Sequence, residues 1–348
     1  MYRSRSGRPR RGRRAAVARG AAAVLVLLAA AGCSTSPDEG PDTGAASLRP
    51  PSQLPKERTP FWVNPDGTAA RAAVRLMKDG NAHDAALLQK ISARPVAEWV
   101  GPDDPDGQTR GFTEAAADAD REALLVLYNI PHRDCGQYSR GGAADGNAYR
   151  AWLEKAASGI GDRRATVILE PDALPHMEDG CTPQQFHEER YALLREAVGR
   201  LKALPHTRVY LDAGNPSWVT PADRMAEPLR RAGIDRADGF ALNVSNFQTT
   251  DASKEYGHRL SELLGGKHFV IDTSRNGNGP LSGDHDKAWC NPAGRALGDP
   301  PTVRTGDALV DAFLWVKRPG ESDGACRGGP DAGKWWEPYA LELARNAH

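Results

Sequence analysis

Residues 165–172 read ATVILEPD, an apolar run that ends in the polar residues Glu170 and Asp172. A continuous apolar run of this length is typical of a strand that is buried on both faces, as in a parallel sheet. Runs of the same form are LLVLYN (124–129), VYLD (209–212), FALN (240–243) and FVID (269–272). Because the carboxyl ends of parallel strands meet at one edge of a barrel, we expect these polar ends to form one site.

Strands of this kind alternate with helical patterns after residue 60. Seven strands are predicted, at Ala97–Val100, Ala123–Asn129, Ala165–Glu170, Arg208–Asp212, Gly239–Asn243, His268–Asp272 and Ala312–Val316. Helices are predicted at Ala69–Lys78, Thr113–Arg121, Tyr149–Gly159, Gln184–Ala203, Ala222–Ala232, Ser253–Leu264 and Trp336–Asn346. The alternation indicates an α/β fold with a parallel sheet, either a barrel or a doubly wound sheet. The polar strand ends favour the barrel, although each could instead cap the turn that follows it.

The charge distribution argues against a nucleic-acid-binding protein. The 348 residues include 45 Lys and Arg and 45 Asp and Glu, so the net charge is zero. Nucleic-acid-binding domains usually carry a basic excess. Eight arginines lie among the first 19 residues without an acidic residue between them, and the remainder of the chain is therefore mildly acidic.

Residues 1–33 resemble a bacterial export signal. The basic segment precedes the apolar run Gly20–Ala31, which is too short to span a bilayer as a mature helix. The run leads into Cys33 through small residues, as in a lipobox, and the arginine pairs are typical of a twin-arginine signal. We therefore expect export, with a membrane contact only through a lipid on Cys33. Ordinary signal cleavage with secretion is the alternative.

Residues 34–60 contain six prolines among small and charged residues, which predicts a tether. No second linker and no repeat of 20–50 residues follows, so residues 61–348 are expected to form one domain, and we expect a monomer.

Once Cys33 is set aside, four cysteines remain, which suits two disulfides in an oxidising compartment. Three pairings of these four are possible.

The sequence lacks the usual cofactor and metal motifs. It contains no GxxxxGK[ST] phosphate-binding loop, no convincing GxGxxG after a strand and no CxxC pair. His187 and Glu188 begin a string similar to HExxH, but Tyr191 stands where the second histidine is needed. We therefore expect neither a cofactor nor a metal.

Carboxylates and aromatic rings remain as the groups that could carry chemistry. Hydrolysis of a glycosidic bond needs an acid that protonates the leaving oxygen and a carboxylate that assists attack from the other side. Asp172 follows an apolar strand and a proline, so desolvation would raise its pKa toward that of a working acid. Asp134 and Asp212 follow the flanking strands and are its candidate neighbours.

Aromatic rings stack on the apolar faces of sugars, and several lie in or near loops at the predicted edge. The candidate platforms are Tyr128, Trp62, Trp218 and Trp289. Trp99 and Trp315 fall within predicted strands and are assigned to the core.

Seven segments resemble glycoside hydrolase family 6, a family of cellulases that includes endoglucanases and cellobiohydrolases. They are YNIPHRDCGQYSRGG (128–142), VILEPDAL (167–174), YLDAG (210–214), GFALNVSNF (239–247), FVIDTSRNGNG (269–279), WCNPAGRALG (289–298) and VKRPGESDG (316–324). They occur in the family's order and span most of residues 61–348. The resemblance implies a distorted seven-stranded β/α barrel and hydrolysis with inversion.

The resemblance also implies roles for individual residues. Asp172 matches the general acid, Asp134 the residue that supports this acid and the water, and Asp323 the proposed base. Asp212 matches an aspartate that affects charge and binding. The candidate sugar-binding and water-binding residues are Tyr128, Lys317, Glu321, Trp62, Trp218, Trp289, Ser139 and the strand-end residue Asn243. The implied disulfides are Cys135–Cys181 and Cys290–Cys326.

Three positions depart from the family pattern. Arg140 follows Ser139 in the water-handling loop, where the family often has a serine at position 139 or 140. Asn215 follows LDAG where the family often has a histidine, and His132 replaces a small or acidic residue. We expect these changes to alter substrate preference without removing the chemistry.

The sequence predicts an endo-acting β-1,4-glucanase that acts on β-glucan polysaccharide or oligosaccharide. About 290 residues follow the tether, and no long insertion that could roof a tunnel is present. An exo-acting cellobiohydrolase is the enzymatic alternative, and a non-catalytic glycan-binding lipoprotein is the alternative of a different class.

Overall fold

Seven parallel strands form one sheet in the computed structural model, which describes residues 59–283 and 287–348. The strands are β1 Glu98–Val100, β2 Ala123–Leu127, β3 Ala165–Leu169, β4 Thr207–Asp212, β5 Gly239–Leu242, β6 His268–Asp272 and β7 Val310–Leu314. They pair in chain order from β1 to β7. The last strand begins two residues earlier than predicted, because Val310 already pairs with Phe269 of β6.

The two outer strands approach each other at a seam. The N–H of Ala97 donates to the carbonyl oxygen of Trp315 at 3.0 Å. The Nε1 of Trp99 donates to the carbonyl oxygen of Val316 at 2.9 Å, and the Nε of Arg318 donates to that of Ala97 at 3.0 Å. The sheet is therefore curled into an incompletely closed barrel, and the predicted distorted seven-stranded β/α barrel is confirmed.

Nine α-helices occur in the described part of the chain. They are α1 Thr68–Lys78, α2 Ala82–Ser92, α3 Pro105–Asp118, α4 Gly146–Ile160, α5 Pro175–Glu178, α6 His187–Leu201, α7 Asp223–Arg231, α8 Thr250–Leu263 and α9 Glu337–Asn346. The sequence patterns miss α2 and the first two turns of α3. Both begin at a capping side chain, since Asn81 accepts the N–H of Asp84 and Asp104 accepts the N–H of Gly107.

The two faces of the sheet belong to different hydrophobic clusters. Side chains alternate along a strand, so that Leu125 and Leu127 of β2 pack with the surrounding helices, while Leu124 and Val126 pack inside the barrel. All four are buried. This double burial explains why the strands read as continuous apolar runs, and it leaves the strand ends as the places where polar side chains can gather.

The predicted export segment with Cys33 and most of the predicted tether lie outside the described residues. The last two residues of that tether are folded: Thr59 is buried, and the carbonyl oxygen of Pro60 accepts the N–H of Glu122 at 2.9 Å. Among the described residues, no helix combines the length and apolar character needed to cross a bilayer.

Candidate active site

Asp172 lies where the ends of three neighbouring strands meet. Tyr128 follows β2 directly, and Asp212 is the last residue of β4. The Oη of Tyr128 donates to Oδ2 of Asp172 at 2.8 Å, and the N–H of Asp172 donates to Oδ2 of Asp212 at 2.8 Å. The strand ends therefore bring together three of the side chains that the sequence predicts at this edge.

The chain turns sharply between β3 and Asp172. Glu170 has a φ of 49° and Asp172 a φ of 68°, and both angles lie in the left-handed region that residues other than glycine adopt uncommonly. Such conformations persist where surrounding contacts determine them. The hydrogen bond from the N–H of Asp172 to Asp212 is one of these contacts, so the strained turn and the carboxyl pair form one unit.

The carboxyl groups of Asp172 and Asp212 both have a pKa raised above the ordinary value of an aspartate. Burial raises the pKa of Asp172, and the charge of His176 and the hydrogen bond from Tyr128 oppose this increase. Burial, followed by the charge of Asp172, raises the pKa of Asp212 to about 8. A carboxyl pair in this environment retains a proton near neutral pH, which a group that protonates a leaving oxygen requires.

Asp134 begins a single turn of 3₁₀-helix, Asp134–Gly136, in the loop after β2. Its Oδ2 accepts the N–H of Ser139 at 2.6 Å, and its Oδ1 lies 3.6 Å from Nε2 of His176. Asp134, Asp172 and His176 each contribute one oxygen or nitrogen atom to a group within 4.8 Å of one another. The expected neighbour of Asp172 is therefore nearby, and its part in the reaction stays a prediction.

A buried carboxyl group, which the sequence marks as a polar strand end without giving it a role, fixes the start of this loop. Glu170 is 1% exposed and accepts the N–H groups of Asn129 and Ile130, each at 2.9 Å. Burial raises the pKa of Glu170 to about 7, against the effect of these hydrogen bonds. Its position two residues before Asp172 is the available sequence signal. Glu170 ties the end of β3 to the loop that leads to Asp134.

Both disulfides implied by the resemblance are present. Cys135 pairs with Cys181, which joins the residue after Asp134 to the segment after α5. Cys290 pairs with Cys326. Each bond thus joins two loops that contribute candidate site residues.

Asp323 lies in the loop after β7, surrounded by groups that balance its charge. Nη1 of Arg275 lies 2.9 Å from its Oδ2, the N–H of Asn291 donates to the same atom at 3.0 Å, and Nζ of Lys317 lies 3.6 Å from its Oδ1. Arg275 is fully buried. The sequence patterns miss Arg275 and Asn291 as partners of Asp323, although both lie in segments that carry the family resemblance.

Lys317 and Glu321, the expected sugar-binding residues beside Asp323, are themselves buried and paired within the protein. Nζ of Lys317 donates to the carbonyl oxygen of Ser322 at 3.1 Å, and burial lowers the pKa of this lysine. Oε1 of Glu321 lies 2.9 Å from Nη1 of Arg318. Their contact with a sugar stays a prediction.

Two of the expected aromatic platforms lie on loops with partly accessible rings. Trp218 follows β4, and its Nε1 donates to Oδ2 of Asp179 at 2.8 Å. Trp289 is 37% exposed and meets the ring of Tyr138 edge-on, with centroids 5.6 Å apart. Both rings can offer surface to a sugar, and that role stays a prediction.

The structure argues against Trp62 as a platform. The residue before it, Phe61, pairs with Glu122, which immediately precedes β2. Trp62 therefore lies at the amino end of β2, about 17 Å from the carboxyl end of a five-residue strand. Its indole packs edge-on against Phe112 of α3, with centroids 5.0 Å apart. Trp62 belongs to the layer between helices and sheet.

Trp99, which the sequence assigns to the core, packs against the hydrophobic cluster inside the barrel and also borders the site. Its ring meets that of Tyr128 edge-on, with centroids 5.6 Å apart. It is partly exposed because β1 is an edge strand of only three residues. The shortness of that apolar run is the sequence signal that could have separated Trp99 from a fully buried core residue.

The strand-end residues Asn243 and Asp272 hold loops together. Asn243 is fully buried; its Nδ2 donates to the carbonyl oxygen of Asp272 at 2.8 Å and its Oδ1 accepts the N–H of Gln248 at 3.0 Å. This bonding argues against the expected contact of Asn243 with substrate. The carboxylate of Asp272 accepts four main-chain N–H groups, from Ser245, Ser274, Val316 and Lys317.

We assign no metal to the described residues. Two groups have atoms of suitable type within 4.8 Å of one another, Cys135 with His176 and Cys181, and Asp134 with Asp172 and His176. In the first group both sulfurs belong to a disulfide. In the second group the carboxyl of Asp172 already bonds to Tyr128, and that of Asp134 bonds to the N–H of Ser139 and faces His176.

The chain is similar to known proteins in sequence. The model of the Glycosyl hydrolases family 6 matches residues 56–347. The chain is 44% identical to Endoglucanase A of Cellulomonas fimi over 297 residues, which cover 84% of this chain and 62% of that protein. It is 42% identical to Endoglucanase 1 of Streptomyces halstedii over 294 residues, which cover 81% of this chain and 88% of that protein. The chain thus spans less than two thirds of the Cellulomonas relative.

The fold has a similar counterpart among solved structures. The endoglucanase Cel6 from Mycobacterium tuberculosis, in complex with methyl-cellobiosyl-4-deoxy-4-thio-β-D-cellobioside, superposes with a TM-score of 0.76 and 47% identity. The alignment covers 82% of this chain and 97% of that one. Because the family model matches nearly all of the described residues and the fold agrees, the chain belongs to glycosyl hydrolase family 6.

Proposed function

We propose that the protein hydrolyses β-1,4-glucosidic bonds within chains of cellulose or a related β-glucan, with inversion at the anomeric carbon. The observation that carries this proposal is the partly buried carboxyl group of Asp172, whose pKa burial raises and which Tyr128 and Asp212 hold in place. The endoglucanase relatives described above support the substrate class and the internal cut.

In the proposed bond-breaking step, Asp172 gives its proton to the glycosidic oxygen while the bond from that oxygen to the anomeric carbon breaks. Asp172 then carries a negative charge. The hydroxyl of Tyr128 donates to that carboxylate, and the opposite charge of His176 favours the same ionised form. The site can therefore hold the proton before the step and stabilise the carboxylate after it.

On the other face of the sugar, we propose that a water molecule attacks the anomeric carbon and gives up a proton. Asp323 is our candidate for the base, and Arg275 fixes the position of its carboxylate. Asp134 is the candidate for supporting the water and the acid. Inversion follows because the water adds opposite the leaving oxygen.

The proposal is tested with a soluble β-glucan. We expect the viscosity of carboxymethylcellulose to fall steeply while few reducing ends have formed, and the first product seen by NMR to be the α-anomer. Slow loss of viscosity with steady release of cellobiose would instead favour an exo-acting cellobiohydrolase. Retention of the β-anomer would refute inversion. Binding of the glucan without hydrolysis would favour a non-catalytic glycan-binding protein.

For its location, we propose export and attachment to the outer face of the cell membrane through a lipid on Cys33, with the domain acting as a monomer. The small residues before Cys33 and the apolar run support this proposal. Cys33→Ser should release the protein from membranes, whereas a variant that stays bound would refute the anchor. A molar mass near 37.5 kDa or below for the exported protein by light scattering supports the monomer, and twice that mass refutes it.

A further inference from the structure

We propose that His176 is a positioning residue of this site: its imidazolium holds the carboxylate of Asp134 beside Asp172 and links it, through Asp179, to the indole of Trp218. The catalytic consequence rests on the function proposed above. We call the imidazolium of His176 between the carboxylates of Asp134 and Asp179 the charged bridge. The bridge itself rests on geometry.

His176 is fixed by its own short helix. It lies in α5, four residues after Asp172, and its N–H donates to the carbonyl oxygen of Asp172 at 2.9 Å. The ring is buried, with Nδ1 3.2 Å from Oδ2 of Asp179 and Nε2 3.6 Å from Oδ1 of Asp134. Both ring nitrogens therefore face carboxylates, an arrangement that suits a ring protonated on both nitrogens.

The charged groups that interact with this ring come from several elements and are acidic. They are Asp134 after β2, Asp172 after β3, Asp179 after α5 and Asp212 at the end of β4. Burial alone lowers the pKa of His176, but its interactions with Asp134, Asp179 and Asp172 outweigh burial and raise the pKa to about 9. The bridge is therefore charged at neutral pH.

Asp179 connects the bridge to an aromatic ring. Its Oδ2 accepts the N–H of the Trp218 indole at 2.8 Å and also faces His176, whose ring meets the indole edge-on with centroids 4.8 Å apart. Its Oδ1 accepts the N–H of Cys181 at 2.8 Å. Since Cys181 is bonded to Cys135, Asp179 is joined to the loop of Asp134 covalently as well as through His176.

The proposal predicts that removal of the His176 imidazolium changes the pH dependence of the reaction as well as the packing of the site. An opposite charge within about 4–6 Å lowers the pKa of a carboxyl group by about one unit or more. Removal of the imidazolium should therefore raise the pKa of Asp172 and displace the basic limb of the pH–rate profile upward by about one unit. A residue with only a structural part would lower the rate equally at every pH.

The first test does not depend on activity. Histidine ring resonances are titrated by NMR in the wild type, and that of His176 is assigned by its absence from His176→Asn. We expect His176 to stay charged up to pH 8. Titration near pH 6.5, as for an ordinary histidine, would overturn the proposal.

The second test compares pH–rate profiles on a soluble β-glucan. His176→Asn should displace the basic limb upward and lower kcat about tenfold. Asp179→Asn should lower the pH at which the His176 resonance titrates, because Asp179 raises the pKa of His176, and should raise KM, because Trp218 loses a partner. The control is His258→Asn, which removes a histidine facing Asp307 at 2.8 Å on the surface and should leave the limb unchanged. A His176→Asn profile that superimposes on that of the wild type after scaling, or an unchanged titration of His176 in Asp179→Asn, would overturn the proposal.

The proposed function and the role of His176 can be refuted independently of each other. A wild type that does not hydrolyse any soluble β-glucan refutes the proposed function, and the titration of His176 then decides the charged bridge alone. If His176→Asn does not fold, Asp179→Asn and the wild-type titration decide it, with the resonance assigned through its change in Asp179→Asn.

Discussion

Replacement of Asp212 by asparagine should change stability in a way that depends on pH. Asp212 is 2% exposed, and its Oδ2 accepts the N–H of Asp172 at 2.8 Å. Burial and the neighbouring Asp172 raise its pKa from 3.8 to about 8. Asparagine keeps an oxygen for the N–H of Asp172 but has no proton to lose.

The sign follows from proton linkage. Between about pH 4 and pH 8 the folded wild type holds a proton that the unfolded chain has released, so the wild type loses stability as the pH rises. The stability of Asp212→Asn does not decrease with pH in this way, because asparagine does not titrate. Its free energy of unfolding relative to that of the wild type should therefore increase by about 1.4 kcal/mol per pH unit, or about 2–3 kcal/mol from pH 5 to pH 7. The new buried amide adds a constant cost of about 1–3 kcal/mol, which does not affect the slope.

The measurement is unfolding in urea at pH 5, 6 and 7 with the disulfides intact, followed by tryptophan fluorescence. Leu211→Ala is the control, because Leu211 is also buried but does not titrate; its difference from the wild type should be the same at each pH. A difference for Asp212→Asn that is equally independent of pH would refute the raised pKa of this carboxyl.

Three further outcomes are expected. Tyr128→Phe removes the hydroxyl that donates to Asp172 and lowers its pKa. The basic limb of the pH–rate profile should therefore move to higher pH by about one unit, and an unchanged limb contradicts the stated hydrogen bond. Trp99→Ala should raise KM for a soluble glucan about tenfold while Trp62→Ala should lower only stability, and the reverse result would restore Trp62 as a platform. Joint replacement of Cys135 and Cys181 by serine opens a loop of 46 residues and should lower the free energy of unfolding by about 4 kcal/mol in denaturant titration; a loss below 1 kcal/mol contradicts the loop-entropy account.

Most of the strands were predictable because they are buried on both faces. In β3 every residue from Ala165 to Leu169 is buried, so the run is apolar throughout and its polar end is easily located. The helix α2 was missed because its apolar residues do not mark a single stripe, and the signal lies instead in the cap at Asn81. The start of α3 was missed because Pro105 reads as a loop residue, although proline is favourable in the first turn of a helix.

The site was predictable where a residue follows a strand and less so where its partner comes from another segment. Asp172 is found from its position after β3. His176 and Asp134 are separated by 42 residues of chain, which no local spacing connects, and Arg275 meets Asp323 across 48 residues. The positions of Trp62 and Trp99 were hard to predict for the same reason. The end of the barrel at which each ring lies depends on which strands pair, and the local sequence does not give this pairing.

The central claim is that Asp172 supplies the proton to the leaving oxygen, and substrates that do not need this proton test it most directly. Asp172→Asn and the wild type are compared on a soluble β-glucan and on 2,4-dinitrophenyl β-cellobioside, whose phenolate departs without protonation. We predict that the variant loses about 10²–10⁴-fold in kcat on the glucan but less than about tenfold on the activated glycoside. An equal loss on both substrates, or no loss on the glucan, would contradict the account.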